Sequence, residues 1–522
     1  MAHVDVAGAV RADAPAAVGR ARLGLVVFAG GAGTLATEIA ASRLLAPYFG
    51  SSTIVWANII GLILAYLSLG YWLGGKLADR RPEPRLLGAI VMVAAIVIAV
   101  TPFIARPILD LALEGLDAVN VGAVVGSFFA ALGLFAIPVT LLGAVSPFAI
   151  RLALVEVGEA GTVAGRLYAL STVGSILGTF LSALITIPLL GTQRTMIGSA
   201  ALLVLAAALL LGIRWQLVTV AVAALLLVPA GTIKPTEGLL LESESAYQYV
   251  QVVQRDDGSR ALRLNEGVAV HSLWRPDTVL TGGVWDTFLL VPALHDRPVE
   301  RMLVIGNAGG TIARAYGELY PDVRIDGVEI DPEVSEAGRR LLGLGDNPNL
   351  EVIAADGRPY LQLTDERYDL IVVDAYHQPY IPFYLATQEF FELARERLSP
   401  GGIVALNVAA VPGDERLSEA IGTTVLAAFP QAWRWKPLRF NELLLAFDEA
   451  TTRDELLRRV SGADARLEQL TRLFRDGLRP VGAEGDVLTD DRAPVEWLTD
   501  RMIIDFVSRG GELDEDFLPT AP

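Results

Sequence analysis

The sequence predicts a two-part fold: a multi-span α-helical membrane domain, then a small N-terminal β-hairpin region leading into an α/β Rossmann-like domain. Three observations predict it. The chain of 522 residues is 52% hydrophobic, more apolar than soluble globular proteins. The excess lies before residue 234, in runs close to the ~20 residues that cross a bilayer. From Leu240 onward strands and helices alternate at the spacing that builds a doubly wound parallel sheet.

Residues 1–21 read as a polar, Ala-rich, disordered tail. Residues 22–234 form the polytopic helical domain, with about seven spans near 23–46, 54–75, 86–104, 121–145, 166–190, 195–213 and 215–232. The first is too long for a signal peptide, has no convincing cleavage site and is followed by further spans. Small residues recur at every fourth position, as in Ala57, Gly61, Ala65 and in Gly174, Gly178, Ser182. Such rows let helix backbones approach closely in lipid. Glu38 is the best sign of a solute path, but Arg43 lies one turn on and a structural pair is the simpler reading.

Residues 240–298 read as a small β-rich subdomain, with a hairpin of 248–254 and 260–264 joined across Asp257-Gly258. Residues 299–450 form the α/β domain. Its strands are expected at 302–305, 324–330, 350–356, 368–374 and 401–408, and its helices at 311–319, 332–342, 388–398 and 414–428. Residues 451–522 form a C-terminal helical extension, with a polar helical stretch at 452–476 and then LTDDRAPVEWL at 488–498.

Composition removes several function classes. A net charge of −17 argues against nucleic acid as a partner. With no cysteine there are no disulfides, thiolate metal sites or cysteine nucleophiles, and four scattered histidines make no metal site.

The motifs gather at successive strand ends, the edge where such sheets bind ligands. VIGNAGGT follows the first strand, with Gly306, Gly309 and Gly310 opening a helix. The second strand ends in Glu329, about 20 residues on, suited to a ribose diol. The third ends in Asp356-Gly357 and the fourth in Asp374. Each acid alone could be a cap or turn former; together they point to a nucleoside-type ligand. After Asp374 comes the loop of IVVDAYHQPYIPF (371–383), with Tyr376, His377 and Tyr380 between the strand and Pro382.

On these motifs the segment 303–407 resembles the spermidine synthase (polyamine aminopropyltransferase) family, which has the S-adenosylmethionine-methyltransferase-type fold. Ser245-Ala246-Tyr247-Gln248 and LNEGVAVHS (264–272) extend the likeness upstream. EIAASRLLAPYFG (38–50), GYWLGGKLADR (70–80) and LTDDRAPVEWL make the whole chain similar to bacterial membrane-fused spermidine synthase-like proteins. The resemblance implies a transferase that moves an aminopropyl group from decarboxylated S-adenosylmethionine to a polyamine such as putrescine. It implies no permanently bound cofactor. By position, Gly306, Gly309 and Gly310 would underlie the methionine-like part of the donor. Glu329 would hold its ribose, Asp356 with Gly357 its adenine, Gln248 the pocket wall, and Asp374 would face the reacting centre.

Three departures stand out. GNAGGT carries no acid for the aminopropyl end, and the family's second loop aspartate is replaced by His377. GVWDTF (283–288) offers Trp285 and Asp286 in place of the family's acid and histidine. His377 is then the expected general base, oriented by Asp374, with Tyr376, Tyr380, Tyr384 and Trp285 as cation-binding walls. His271 is a weaker candidate for the wall; His3 and His295 read as surface. Two further functions stay open: an S-adenosylmethionine-dependent methyltransferase, and a non-catalytic nucleoside-binding sensor or transporter.

The expected partners are the lipid bilayer, a small-molecule amine and, through the soluble domain, a second copy of the chain. The expected location is the cell membrane, multi-pass, with the catalytic half cytoplasmic. Arg11, Arg20, Arg22, Lys76, Arg80, Arg81, Arg85, Arg151 and Arg166 fall on one side if helices alternate, which puts the N-terminus inside. Seven spans would then put the catalytic half outside, in conflict with a donor made in the cytoplasm.

Overall fold

The computed structural model describes residues 19–50, 53–117, 123–229, 231–265, 269–377, 379–512 and 517–518. One compact unit is helical and ends at Ile233; the other takes in the chain from Lys234 onward. The tail expected over 1–21 lies outside the described residues as far as 18, and the first helix already begins at Arg20.

Among the described residues, six helices are long and apolar enough to cross a membrane. They are Arg20–Phe49, Val55–Arg80, Pro84–Ala112, Gly126–Ala153, Ala160–Leu190 and Thr192–Leu211. The span expected at 215–232 differs. Gly212 takes φ +107 and ends the sixth helix, and the apolar helix that follows, Ile213–Leu227, falls short of the ~20 residues a crossing needs. Local hydropathy continues through this segment, which is why the sequence reads as a seventh span. The small-residue rows behave differently from one another. A Cβ on Gly174 would meet the Phe28 carbonyl at 2.1 Å, and one on Gly178 the Ala32 carbonyl at 2.2 Å, so this row packs backbone on backbone. Gly61 has nothing within 4 Å, and its row faces outward.

The second unit begins with a four-stranded antiparallel sheet in the order β1-β2-β3-β4. Its strands are β1 (Leu239–Glu244), β2 (Tyr249–Gln254), β3 (Arg260–Leu264) and β4 (Val270–Trp274). The turn between β2 and β3 follows from Asp257-Gly258: Asp257 accepts the Ser259 amide at 2.9 Å, and Gly258 takes φ +79. The middle of the next hairpin, 266–268, lies outside the described residues.

The large sheet has eight strands: β5 (Arg301–Ile305), β6 (Arg324–Glu329), β7 (Leu350–Ala354), β8 (Tyr368–Val373), β9 (Leu398–Ala409), β10 (Gln431–Trp435), β11 (Asn441–Phe447) and β12 (Arg479–Pro480). Their order is β12-β10-β11-β9-β8-β5-β6-β7. Strands β5 to β9 pair in parallel; β10, β11 and β12 pair antiparallel at one edge. Both faces are covered, so β5 and β8 carry the near-continuous apolar runs MLVI and LIVV rather than an alternating pattern. Met302 and Val304 pack into the core on one face with Ile312 and Tyr316, while Leu303 and Ile305 pack on the other with Leu361 and Phe390. Strand order reverses between β5 and β8. That crevice, at the carboxyl ends, is where doubly wound sheets bind ligands.

Candidate active site

The turn after β5 is shaped by its neighbour. Gly306 takes φ +86, and a Cβ there would lie 2.5 Å from the Asp374 carbonyl. Only glycine allows the loops leaving β5 and β8 to close together at the switch point. Of the three motif glycines, Gly306 lines the cavity that opens there, while Gly309 and Gly310 pack behind it. The Gly309 amide donates to Ser272 Oγ at 2.8 Å, and Gly310, at φ +85, caps the helix Thr311–Leu319.

This first cavity, of about 350 Å³, is walled by the ends of β5, β6, β7 and β8. Glu329 ends β6, is buried, and accepts the Ala308 amide on one oxygen and the Asp331 amide on the other, each at 3.0 Å. Each oxygen keeps a further lone pair for a diol. Burial pushes its carboxyl up to about 7, against the pull of those backbone bonds. Asp356 caps the helix Gly357–Leu363 through the Arg358 amide at 3.1 Å, and accepts the Tyr384 hydroxyl at 3.2 Å. Burial and this carboxylate push the Tyr384 phenol up to about 12. Gln248 and Gly357 complete the wall, and a Cβ on Gly357 would run into Ile305 at 2.3 Å. Gln248 is held by Ser245, whose hydroxyl accepts the Gln248 amide at 2.9 Å and donates to Asp331 at 2.6 Å.

Asp374 stands where this cavity meets a second one, of about 230 Å³. His271, Ala308 and Tyr376 line both as well. In the β8–β9 register Val373 faces Leu406, so Asp374 and Asn407 emerge side by side. Asn407 donates to the Asp374 carboxylate at 2.8 Å and accepts from Asn441 at 3.0 Å. Water entering the cavities reaches Asp374, yet protein surrounds it on nearly every side. That desolvation pushes its carboxyl up to about 7, opposed by the Asn407 bond. Tyr376 donates its hydroxyl to the Asn407 carbonyl at 3.0 Å, and burial drives its phenol well up.

The loop after Asp374 is pinned at several points. His377 and Tyr380 exchange backbone bonds of 2.8 and 3.1 Å. Gln378 between them lies outside the described residues. The Tyr380 hydroxyl donates to Asp500. Arg358 clamps Asp490 with bonds of 2.7 and 2.6 Å and donates to the Tyr384 carbonyl at 3.0 Å. His377 is exposed and lines the first cavity; among the described residues, it is not part of the second cavity's wall. The partner found on the Asp374 carboxylate is Asn407. Tyr380 also lines the first cavity, and Pro379 and Trp285 line the second.

Asp286 takes no part in either wall. It is buried and accepts from the Thr281 amide and hydroxyl and the Gly282 amide at 2.7 to 3.1 Å, closing its own turn. His295, expected on the surface, is buried, because the turn after Leu294 folds the ring inward; desolvation lowers its pKa. Three further residues carry the site. Asn407 and Asn441 were open to detection as lone amides in or beside apolar strands. Glu496, inside LTDDRAPVEWL, adds a carboxylate to the first cavity, which no local pattern announces.

The spermine/spermidine synthase domain model matches residues 287–433. A probable polyamine aminopropyl transferase of Bifidobacterium longum is 31% identical over 317 residues, 55% of this chain and 70% of that protein. A polyamine aminopropyltransferase of Vibrio vulnificus is 29% identical over 204 residues, 38% of this chain and 67% of that one. Among solved structures, a probable spermidine synthase from Corynebacterium glutamicum aligns with a TM-score of 0.37 and 18% identity, covering 49% of this chain and 99% of that one.

Proposed function

The chain belongs to the polyamine aminopropyltransferase family, and on that premise we propose that it is a transferase moving an aminopropyl group from decarboxylated S-adenosylmethionine to an amine. One observation carries the choice of donor. The acids lining the first cavity are Glu329, Asp356, Asp374 and Glu496, and no Lys or Arg lines it among the described residues. A donor with a carboxylate would face these acids with no Lys or Arg among the described lining residues to pair with it. A donor ending in an ammonium meets opposite charge.

The chemistry follows from the junction of the two cavities. The amine nitrogen attacks the aminopropyl carbon next to sulfur; the N–C bond forms as the C–S bond breaks, and its electron pair leaves on sulfur as methylthioadenosine. The nitrogen must give up a proton; His271, Asp374 and Tyr376 are the titratable side chains lining both cavities, and Asp374 is the carboxylate among them. A carboxyl near 7 is half ionised at neutral pH and is a far better base than an ordinary aspartate. Asn407, itself held by Asn441, keeps that carboxylate aimed. Glu329 and Asp356 hold the nucleoside end. His377 is given a place on the first cavity's rim, not the proton.

We further infer a membrane-anchored enzyme with its catalytic half in the cytoplasm. Six candidate spans return the chain to the side of its N-terminus, so the Lys/Arg bias and the site of donor synthesis agree. A reporter fused after Pro522 is expected to read cytoplasmic.

The test of the reaction is its by-product. Purified chain given an amine and each donor in turn should release methylthioadenosine from decarboxylated S-adenosylmethionine, detected by mass spectrometry. Release of S-adenosylhomocysteine from S-adenosylmethionine, with no methylthioadenosine from the other donor, would overturn the reading in favour of methyl transfer.

A further inference from the structure

The donor's aminopropyl arm needs a partner of its own. Its ammonium separates decarboxylated S-adenosylmethionine from methylthioadenosine, and a buried ammonium with no carboxylate beside it is costly. Glu329 and Asp356 lie at the nucleoside end, and Asp374 faces the acceptor's nitrogen. The turn GNAGGT carries no acid.

Glu496 comes from a distant part of the chain. It is half-buried, stands in the first turn of the helix Val495–Ser508 and lines the first cavity. Thr499, one turn on along the same face, and Ile503, a turn beyond that, line the second. Along this face the first cavity therefore gives way to the second just past Glu496, and transfer has to take place where they adjoin. The helix is also fixed to the loop after Asp374. Asp500, four residues beyond Glu496, accepts the hydroxyl of Tyr380, which lines the first cavity. Burial pushes the Asp500 carboxyl up, and the nearby Glu496 charge adds to it, so a cation placed here relieves a standing repulsion.

We propose that Glu496 binds the ammonium of the donor's aminopropyl group. The inference rests on the aminopropyl-transfer reading and assigns its choice of donor to one side chain. The carboxylate draws the propyl arm toward the junction, so that the carbon next to sulfur faces the amine at Asp374. S-adenosylmethionine would bring a carboxylate to the same place, against Glu496.

Two ligands that differ in this arm test it. In the full chain in detergent, Glu496→Gln should weaken binding of decarboxylated S-adenosylmethionine about tenfold or more, the order of one charge-assisted contact. It should leave methylthioadenosine affinity within about twofold, both read by calorimetry, and that retained affinity shows the variant to be folded. Glu496→Asp should recover part of the loss. Unchanged affinity for both ligands would overturn the inference. So would an equal loss for both, which would make Glu496 a part of the nucleoside wall. The loss appearing in Glu266→Gln instead of Glu496→Gln would also overturn it and give the ammonium to the hairpin at 266–268, outside the described residues. A parent chain that binds methylthioadenosine yet releases none from decarboxylated S-adenosylmethionine, whatever the amine, would overturn the transfer reading and the inference with it.

Discussion

The two cavities share Asp374 but differ in the acids around it and in the segments that build them. The first holds Glu329, Asp356 and Asp374 at strand ends and Glu496 on the C-terminal helix, with Glu329 held by two backbone amides and Asp356 by the Arg358 amide and the Tyr384 hydroxyl. The second has Asp374 as its acid among the described residues, and its walls come from segments that are far apart in the chain, from Ala269 to Phe517. On the reading proposed above, the difference teaches that the sheet itself sets where the nucleoside end lies, whereas the loops and the C-terminal helix surround the place of the acceptor. A family can keep the first and change the second.

The sharpest break in this comparison is at the shared residue. Asp374→Asn should cut turnover by ~10²–10⁴, the usual range for a general base. Methylthioadenosine affinity should hold within a few-fold, because the nucleoside contacts lie on other strands. A parallel loss of affinity, read by calorimetry, would mean that Asp374 builds the first cavity instead of serving both.

Next in size is the donor side. Glu329→Gln should weaken methylthioadenosine binding about tenfold or more, since a charge-assisted bond is worth about 1.5–3 kcal/mol. In the parent chain affinity should fall as pH drops through about 7, where Glu329 gains its proton. The variant should not show that fall. His377→Ala should cost less than about tenfold in turnover, below the usual general-base range, because His377 stands on the first cavity's rim. A loss as large as that of Asp374→Asn would return the proton to His377.

The smallest effect concerns stability, and its sign is opposite to that on activity. Asp374 and Glu329 have folded pKa values raised to about 7, against roughly 4 in an unfolded chain. Ionising them in place therefore costs stability that is untouched below about pH 4 and lost as pH rises toward 7. Asp374→Asn should melt a few degrees higher than the parent chain at pH 8, and less so at pH 5, whereas Glu329→Gln sets an amide NH2 against one of two backbone N–H donors and gains nothing. A lower melting temperature of Asp374→Asn at pH 8 would show that its carboxylate holds the fold together.

The same contrast explains how far the sequence could be read. Parallel strands are continuous apolar runs that end in polar residues, so Glu329, Asp356 and Asp374 stand out by position alone. The hairpin across Asp257-Gly258 was equally legible from its turn chemistry. Strands β10 and β11 were not, because QAWRW and NELLLAF follow the last helix without the βαβ spacing that exposed the others. Gly309 and Gly310 read as ligand contacts because the motif cannot distinguish a backbone near a ligand from one near Leu342 and Leu344. The expected seventh span differs for a related reason: hydropathy sees composition, whereas the apolar helix Ile213–Leu227 stops where Val228 turns extended. The second cavity was illegible as a whole, since Trp285, Asn407, Phe440 and Met502 meet only through tertiary folding.

The central claim is that Asp374, held near neutrality by its burial, takes the acceptor's proton where the two cavities meet. The most direct test is the pH dependence of kcat/KM for the amine, in the parent chain and in Asp374→Asn. The account predicts a parent rate that rises with pH to a plateau with its midpoint near 7, and a residual rate in Asp374→Asn that lacks this step. A midpoint near 7 that persists unchanged in Asp374→Asn, or a parent rate that is flat from pH 6 to about 8, would contradict it.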